Sequence, residues 1–466
     1  MQNEFFIVYK HCIWLGSMIQ VGCRLWNLSL LSVVVLTICN ILLTIRLLHW
    51  DCPPTILPES LPRLHPPPVP PHLHESIVNT CSTCNVTNGI FGVDTKLGRW
   101  DSRHLFKMFD FTVVGDIYPE LSEKHLVCIA TQSSLEKLHS LIQVAHHWSG
   151  PISTALYAAG DQEYKLLQGY VAFLRRCYKP IRDRVTFHLL LPKDKLPRSN
   201  IIPEKTDHFE CLHPEIALTH LVQMRSSDIV RWRMRNPYPQ NHMRNLARRN
   251  CQTPYVFLTD VDIIPSTHLT EGLNAFLKNV KCAGLCAYVI PTYELDERVR
   301  FPRNKTDLIR LTNKGLAQPF HHKVFIYNQF ATNFSRWEDD LSEIVHISHN
   351  VTNFEFLYEP FYVAPDIAPG HDERFIGYGF TRNTQVYEMY VAGYQFYVLS
   401  PVFTCHWGLQ TRKGRPFWRE KQNSANRRNF DVFKREVFAR YRKDPLHMVQ
   451  QTYPNQNKKS LPIKKN

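Results

Sequence analysis

The residues with the clearest chemical potential are Asp260-Val-Asp262, which end the apolar run Pro254-Tyr-Val-Phe-Leu-Thr259. Residues 255 to 258 read as a buried strand too short to be a helix. Side chains alternate along a strand, so the two carboxylates are predicted to emerge on one face where the strand surfaces. Mg²⁺ or Mn²⁺ is commonly held by one or two carboxylates together with substrate phosphates. An exposed Asp-x-Asp at a strand end therefore points to a metal-bound nucleotide-sugar diphosphate. The competing reading is a solvated turn, since the triplet also arises by chance.

Positioning such a pair requires a layered framework, and the flanking sequence has one. From His125 onward short apolar runs alternate with amphipathic segments, the pattern of an α/β fold. Val127 to Ala130 is predicted as a strand, followed by a helix that Ser133-x-x-Glu136 caps and that buries Leu138, Leu141, Ile142 and Ala145. Ile152 to Ala158 and Val185 to Leu191 read as further strands. Between them Asp161 opens a helix burying Leu167, Tyr170, Val171, Leu174 and Tyr178, and Pro192 stops the last strand. A helix over about Pro239 to Arg249 then leads into the Asp-x-Asp strand. Met243, Leu246 and Ala247 mark its apolar side, and Asn241, Arg244, Asn245 and Arg248 its polar side. Open α/β sheets bind ligands beyond the carboxyl ends of their strands, so this polar face and the Asp pair are expected to flank one crevice. A solvated helix surface is the alternative.

The remaining sequence bears on compartment. Leu25 to Ile45 holds no ionisable side chain, is long enough to cross a bilayer, and lies between Arg24 and Arg46. It is expected to be an uncleaved signal-anchor behind a tail of residues 1–24. Residues 46–95 then form a spacer whose Pro53 to Pro71 stretch is extended and polyproline-like. Asn-x-Ser/Thr acceptors at Asn85, Asn304, Asn333 and Asn350 agree with a lumenal, glycosylated body. Ten of the 13 cysteines follow the span, where oxidation is allowed, so several disulfides are expected. Cys81-x-x-Cys84 has zinc-ligand spacing but lacks a second matching pair. The net charge of +14 is concentrated in residues 411 to 466, which hold 16 Lys/Arg against 4 Asp/Glu. No basic-aromatic signature of a nucleic-acid module accompanies it. A solvated basic helix and tail is set against attraction to acidic glycans or an anionic membrane surface.

Several blocks in fixed order carry a resemblance. They are Tyr238-Pro-Gln-Asn-His-Met-Arg-Asn-Leu-Ala247, Tyr255 through Ser266, Ala331-Thr-Asn-Phe-Ser-Arg-Trp337, Tyr358-Glu-Pro-Phe-Tyr-Val-Ala364, His371-Asp-Glu-Arg-Phe-Ile-Gly-Tyr-Gly-Phe380, Val391-Ala-Gly393 and Cys405-His-Trp-Gly408. Together, over roughly residues 125 to 442, they resemble glycosyltransferase family 49, whose members include enzymes of dystroglycan glycan synthesis. The resemblance implies a GT-A fold with a mixed central sheet over residues 96–442, followed by a basic tail of residues 443–466. It implies a Mn²⁺- (or Mg²⁺-) dependent, single-pass type II Golgi membrane enzyme. The implied reaction is inverting transfer of glucuronic acid from UDP-glucuronate to a xylose-bearing glycan on a glycoprotein. Asp260 and Asp262 match the metal motif, and His406 matches a C-terminal His-x-Gly that supplies a further ligand. The first 20 residues and the extension after Tyr441 have no counterpart in the family.

Displacing a nucleotide diphosphate develops negative charge on the leaving phosphate, which a cation offsets. An inverting displacement also needs a carboxylate to take the acceptor hydroxyl proton. Asp372 and Glu373 are the candidates, with helix N-terminal capping as their alternative role. A glucuronate donor calls for a cation opposite its own carboxylate, and Arg244 or Arg374 could serve, with Asn241 and Asn245 nearby. The rival functions are use of another UDP-sugar, such as UDP-xylose or UDP-N-acetylglucosamine, and a non-catalytic lumenal glycan-binding member. A homodimer, or a complex with other glycosyltransferases, is left open.

Overall fold

A computed structural model describes Thr37, Asn40, Phe91 and residues 93–198, 201–411 and 417–449. The expected tail 1–24, the span 25–45 apart from Thr37 and Asn40, nearly all of the spacer, Cys81, Cys84, Asn85 and most of the tail 443–466 lie outside the described residues. Among the described residues no helix is long and apolar enough to cross a membrane. The chain divides into two compact units, Met1–His65 and Pro66–Asn466, and the second carries both sheets.

The strands in chain order are β1 (Arg99–Trp100), β2 (Phe106–Val113), β3 (Val127–Ser134), β4 (Ile152–Tyr157), β5 (Val185–Pro192), β6 (Tyr255–Leu258) and β7 (Ile264–Pro265). They continue as β8 (Leu285–Ile290), β9 (Thr292–Leu295), β10 (Ala317–Pro319), β11 (His346–Asn350), β12 (Phe361–Pro365), β13 (Tyr394–Ser400) and β14 (Thr404–Trp407). Ten of them form one mixed sheet in the order β1-β2-β5-β4-β3-β6-β12-β8-β13-β11, and four form a smaller sheet, β10-β9-β14-β7. The parallel centre is β5-β4-β3-β6. The chain winds outward from β3 to β5 and then returns to place β6 on the other side of β3. That reversal opens a crevice beyond the carboxyl ends of β3 and β6, the usual ligand position in such sheets.

Side-chain alternation builds the two layers on this sheet. Val127, Ile129, Ile152, Leu156 and Phe257 face the layer that holds Leu138, Leu141, Leu167, Tyr170 and Leu174. Cys128, Ala130, Ala155, Val256 and Leu258 face Met243, Leu246 and Ala247 of the Gln240–Arg249 helix. Small Cys128 and Ala130 let that helix lie close, and burying Met243 and Leu246 stabilises the packing by roughly 1.5–3 kcal/mol each.

One local expectation fails. β3 runs on to Ser134 and passes into a 3-10 turn, Leu135–Ser140, before the Leu141–His147 helix. No capping box forms: the Ser133 hydroxyl donates to the Ser134 carbonyl, and Glu136 pairs with Arg225 across the fold. A buried ion pair outcompetes the weak local cap. The apolar face expected there is nevertheless buried throughout. The Gln240–Arg249 helix also departs from a half-solvated surface, because Asn241, Arg244 and Arg248 are buried along with its apolar side.

Three disulfides form among the described residues: Cys128–Cys251, Cys177–Cys211 and Cys282–Cys286. Cys405 is free and buried. Asn304, Asn333 and Asn350 are all exposed. Asn304 and Asn333 also cap helices, accepting from the backbone N–H groups of Asp307 and Arg336.

Candidate active site

The crevice at the β3/β6 reversal is a cavity of about 880 Å³, within the range of small-molecule sites. Gln132, Ser133 and Ser134 reach it from the end of β3, Asp260 and Asp262 from the turn after β6, Phe361 from β12, and Arg419, Asn423 and Arg427 from the Phe417–Tyr441 helix. That helix is therefore a wall of the site rather than a solvated basic appendage. It is anchored by buried Phe430, Phe433 and Val437. Its Asn426 amide donates to the carbonyls of Ile376, Tyr378 and Gly379.

Both aspartates reach the cavity, but each has its own cationic company. Asp260 is paired with Arg382 at 2.7 Å and Arg244 at 3.4 Å. Burial works against its charge, yet the two guanidinium groups hold its carboxyl below the usual range. Asp262 is paired with Lys137 and lies 3.6 Å from His406 Nε2. Burial again opposes the charge, and Lys137 and His406 keep the carboxyl well below the ordinary value. The smaller sheet brings His406 there, since β14 pairs with β7 through Cys405 and Ile264 and so sets His406 beside the Asp262 turn.

The other expected site residues lie to one side. Asp372 accepts from the Arg374 side chain and backbone, and its carbonyl accepts from the Asn241 amide at 2.8 Å. Glu373 accepts from the Asn245 amide at 3.0 Å, and Asn245 also exchanges hydrogen bonds with the His371 backbone. Arg374 is held between Asp372 and Glu436. None of Asn241, Asn245, Asp372, Glu373 and Arg374 is among the residues lining the cavity. In this structure the two asparagines strap the 370–373 loop to the helix, and of the two arginines expected near a donor, Arg244 alone reaches the cavity.

Residues that sequence reasoning passed over occupy the cavity instead. Arg382 stacks on Phe361, 4.1 Å from the ring centroid, while pairing with Asp260. Its only sequence signal is that it follows the Gly377-Tyr-Gly-Phe380 stretch. Glu359, inside the Tyr358–Ala364 block, lines the cavity with a carboxyl that burial raises above the ordinary range even against Arg382 and Arg244. Arg419 and Arg427 also line it, and neither has a carboxylate partner among the described residues. Arg419 lies over the Tyr378 ring, and its Nε is buried without a hydrogen-bond partner.

The sheet, its paired carboxylates and the cavity at its reversal point lie within the part of the chain that sequence comparison assigns to a family. The family described as "Glycosyl-transferase for dystroglycan" matches residues 126–442, and the chain belongs to it. Human beta-1,4-glucuronyltransferase 1 is 31% identical over 338 residues, covering 72% of this chain and 81% of that protein. The Danio rerio protein of the same name is 28% identical over 331 residues, 69% of this chain and 75% of its own. Mouse xylosyl- and glucuronyltransferase LARGE2 is 26% identical over 292 residues, 62% of this chain and 35% of its own. A solved structure of GalNAc-T7 with UDP, GalNAc and Mn²⁺ is similar at TM-score 0.35 and 6% identity, over 68% of this chain and 50% of that one, a likeness too low to carry an assignment. The chain is a glycosyltransferase.

Proposed function

We propose that this enzyme transfers glucuronic acid, with inversion, from UDP-glucuronate to a xylose-terminated glycan on a glycoprotein. In this reading the fold is of GT-A type, residues 25–45 anchor it in the Golgi membrane, and the catalytic body over 96–442 faces the lumen. The observation that carries the proposal is the cavity, which is lined by Asp260 and Asp262, the latter 3.6 Å from His406, together with Lys137, Arg382, Arg419 and Arg427. The names of the relatives support the donor.

The donor set fits a divalent cation. Asp262 Oδ2 and His406 Nε2 are 3.6 Å apart, close enough for both to reach one ion, while Asp260 does not close a three-residue ligand cluster with them. Mn²⁺ or Mg²⁺ held there would offset the charge that grows on the departing diphosphate. Lys137, now on Asp262, is placed to meet a phosphate oxygen when the donor enters. Arg244 and Arg382 fix the orientation of Asp260. Arg419 and Arg427 are free to meet the donor's uronate carboxylate, for which a planar guanidinium is well suited.

The base must face the acceptor. Glu359 lines the cavity, whereas Asp372 and Glu373 are bonded to the Gln240–Arg249 helix and do not line it, so we assign the role to Glu359. Burial raises its carboxyl above the ordinary range, the direction that strengthens a base.

The test is turnover by the full chain with Mn²⁺, a panel of UDP-sugars and a β-xyloside acceptor, wild type beside Asp262→Asn. Product from UDP-glucuronate alone, lost in the variant, is the expected result. Product from UDP-xylose or UDP-N-acetylglucosamine instead would replace the donor assignment. Glycan binding with no turnover of any donor would favour a non-catalytic role.

A further inference from the structure

On the face of the Gln240–Arg249 helix turned away from the cavity, three side chains from distant parts of the chain converge. His242 lies two residues before Arg244, about 200° around the helix from it. It is fully buried and packs on Phe106 at 4.7 Å between centroids. Its Nε2 is 3.5 Å from Asp101 Oδ2 and 3.6 Å from Glu373 Oε2. The three potential ligand atoms all lie within 4.8 Å of one another.

Those separations decide between two readings. An N–H···O hydrogen bond spans about 2.7–3.2 Å, and neither ring nitrogen of His242 has a hydrogen-bond partner. Two ligands on one tetrahedral cation, each bonded at about 2.0–2.1 Å, stand roughly 3.3–3.4 Å apart. The imidazole is at best at the outer limit of a hydrogen bond to either carboxylate, yet its spacing from both is close to that of ligands on one ion.

The carboxylates are prepared for that role. Asp101 is buried and accepts from the backbone N–H groups of Leu105 and Phe106 at 2.7 Å each and of Arg103 at 3.1 Å, which keeps it ionised. Glu373 has its Oε1 on the Asn245 amide, leaving Oε2 toward His242. Among the described residues neither carboxylate pairs with a lysine or arginine. Two anions thus face a buried imidazole with no fixed cation between them. Hydrogen-bonded outer partners of this kind are what orient ligands in metal sites.

We propose that Asp101, His242 and Glu373 bind a first-row divalent cation, zinc foremost, at a structural site separate from the Asp260/Asp262 centre. One nitrogen and two oxygen ligands suit zinc. Glu373 is partly exposed, which leaves water access to a fourth position. The ion ties three segments together: the end of β1, the Gln240–Arg249 helix and the 370–373 loop. Its binding free energy adds to the stability of the fold.

The test uses the full chain, stripped with chelator, reloaded with Zn²⁺ and freed of excess by gel filtration. Bound metal per chain is then measured by inductively coupled plasma mass spectrometry. Wild type and Asp262→Asn are each expected to retain one zinc, His242→Ala none, and Glu373→Gln to bind at least about tenfold more weakly. Zinc should raise the melting temperature of wild type and Asp262→Asn more than that of Glu373→Gln. Should His242→Ala fail to fold, Glu373→Gln and Asp101→Asn carry the comparison. The proposal is overturned if reloaded wild type holds no zinc, or if Asp262→Asn loses the zinc while Glu373→Gln keeps it at undiminished affinity.

Discussion

Glu359 and Glu136 both line the cavity, but their surroundings push them in opposite directions. Burial raises Glu359, so as a base it is lost by protonation at a higher pH than an ordinary glutamate would be. The acidic limb of kcat/KM is expected above the normal carboxylate range. Glu359→Gln should lower kcat by about 10²–10⁴-fold and abolish that limb; an unchanged pH profile in the variant would remove Glu359 from the base role. Glu136 is the reverse case. Burial opposes its charge, but Arg225 and Arg233 draw the carboxyl down from 4.5 to about 2. The unfolded chain takes up this proton first, so the stabilisation is complete above about pH 4.5 and lost as pH falls toward 2. It is worth about 3 kcal/mol at neutral pH. Urea melts of Glu136→Gln against wild type should therefore converge at low pH and separate above pH 4.5.

At the scale of elements, the Phe417–Tyr441 helix meets the turn around Gly379 so closely that a side chain does not fit. Gly379 has φ +87°, and a Cβ there would lie 2.2 Å from Asn423 Oδ1. Gly379→Ala is predicted to cost about 1–3 kcal/mol through backbone strain. Because Asn423 and Tyr378 both line the cavity, KM for the donor should rise with the loss of stability. A melting temperature and KM equal to wild type would mean that the helix is not held in this way. The strands β4 and β5 and the helices over Gly160–Cys177 and Gln240–Arg249 were legible in sequence, since each fills its own window with one hydrophobic period. The start of the Leu141–His147 helix was not, because the Glu136–Arg225 pair that draws Glu136 out of a capping box joins residues far apart in the chain.

Across the whole molecule, covalent links reinforce a sheet whose neighbours are distant in sequence. Cys128–Cys251 joins β3 to the approach of β6 over 123 residues, and Cys177–Cys211 closes a separation of 34. Cross-links of this kind restrict the unfolded chain, and losing one typically costs about 2–5 kcal/mol. Paired replacement of Cys128 and Cys251 by Ala should lower the melting temperature more than replacement of Cys282 and Cys286, which are only 4 residues apart. An equal loss for both pairs would contradict the loop-closure argument.

The sequence by itself determined the α/β alternation, the carboxylates at the end of β6 and the apolar faces of the helices beside them. These depend on side-chain period over a few consecutive residues, and a short window contains that information. Tertiary structure decided which charges meet. Arg382 comes to Asp260, His406 to Asp262 and Glu373 to His242 only because β14 pairs with β7 and the 370–373 loop is strapped across the Gln240–Arg249 helix. The C-terminal basic helix likewise reads as a solvated face until Phe430 and Phe433 find their pocket and turn Arg419 toward the cavity. Contacts of this range depend on strand order and register, which no local pattern encodes.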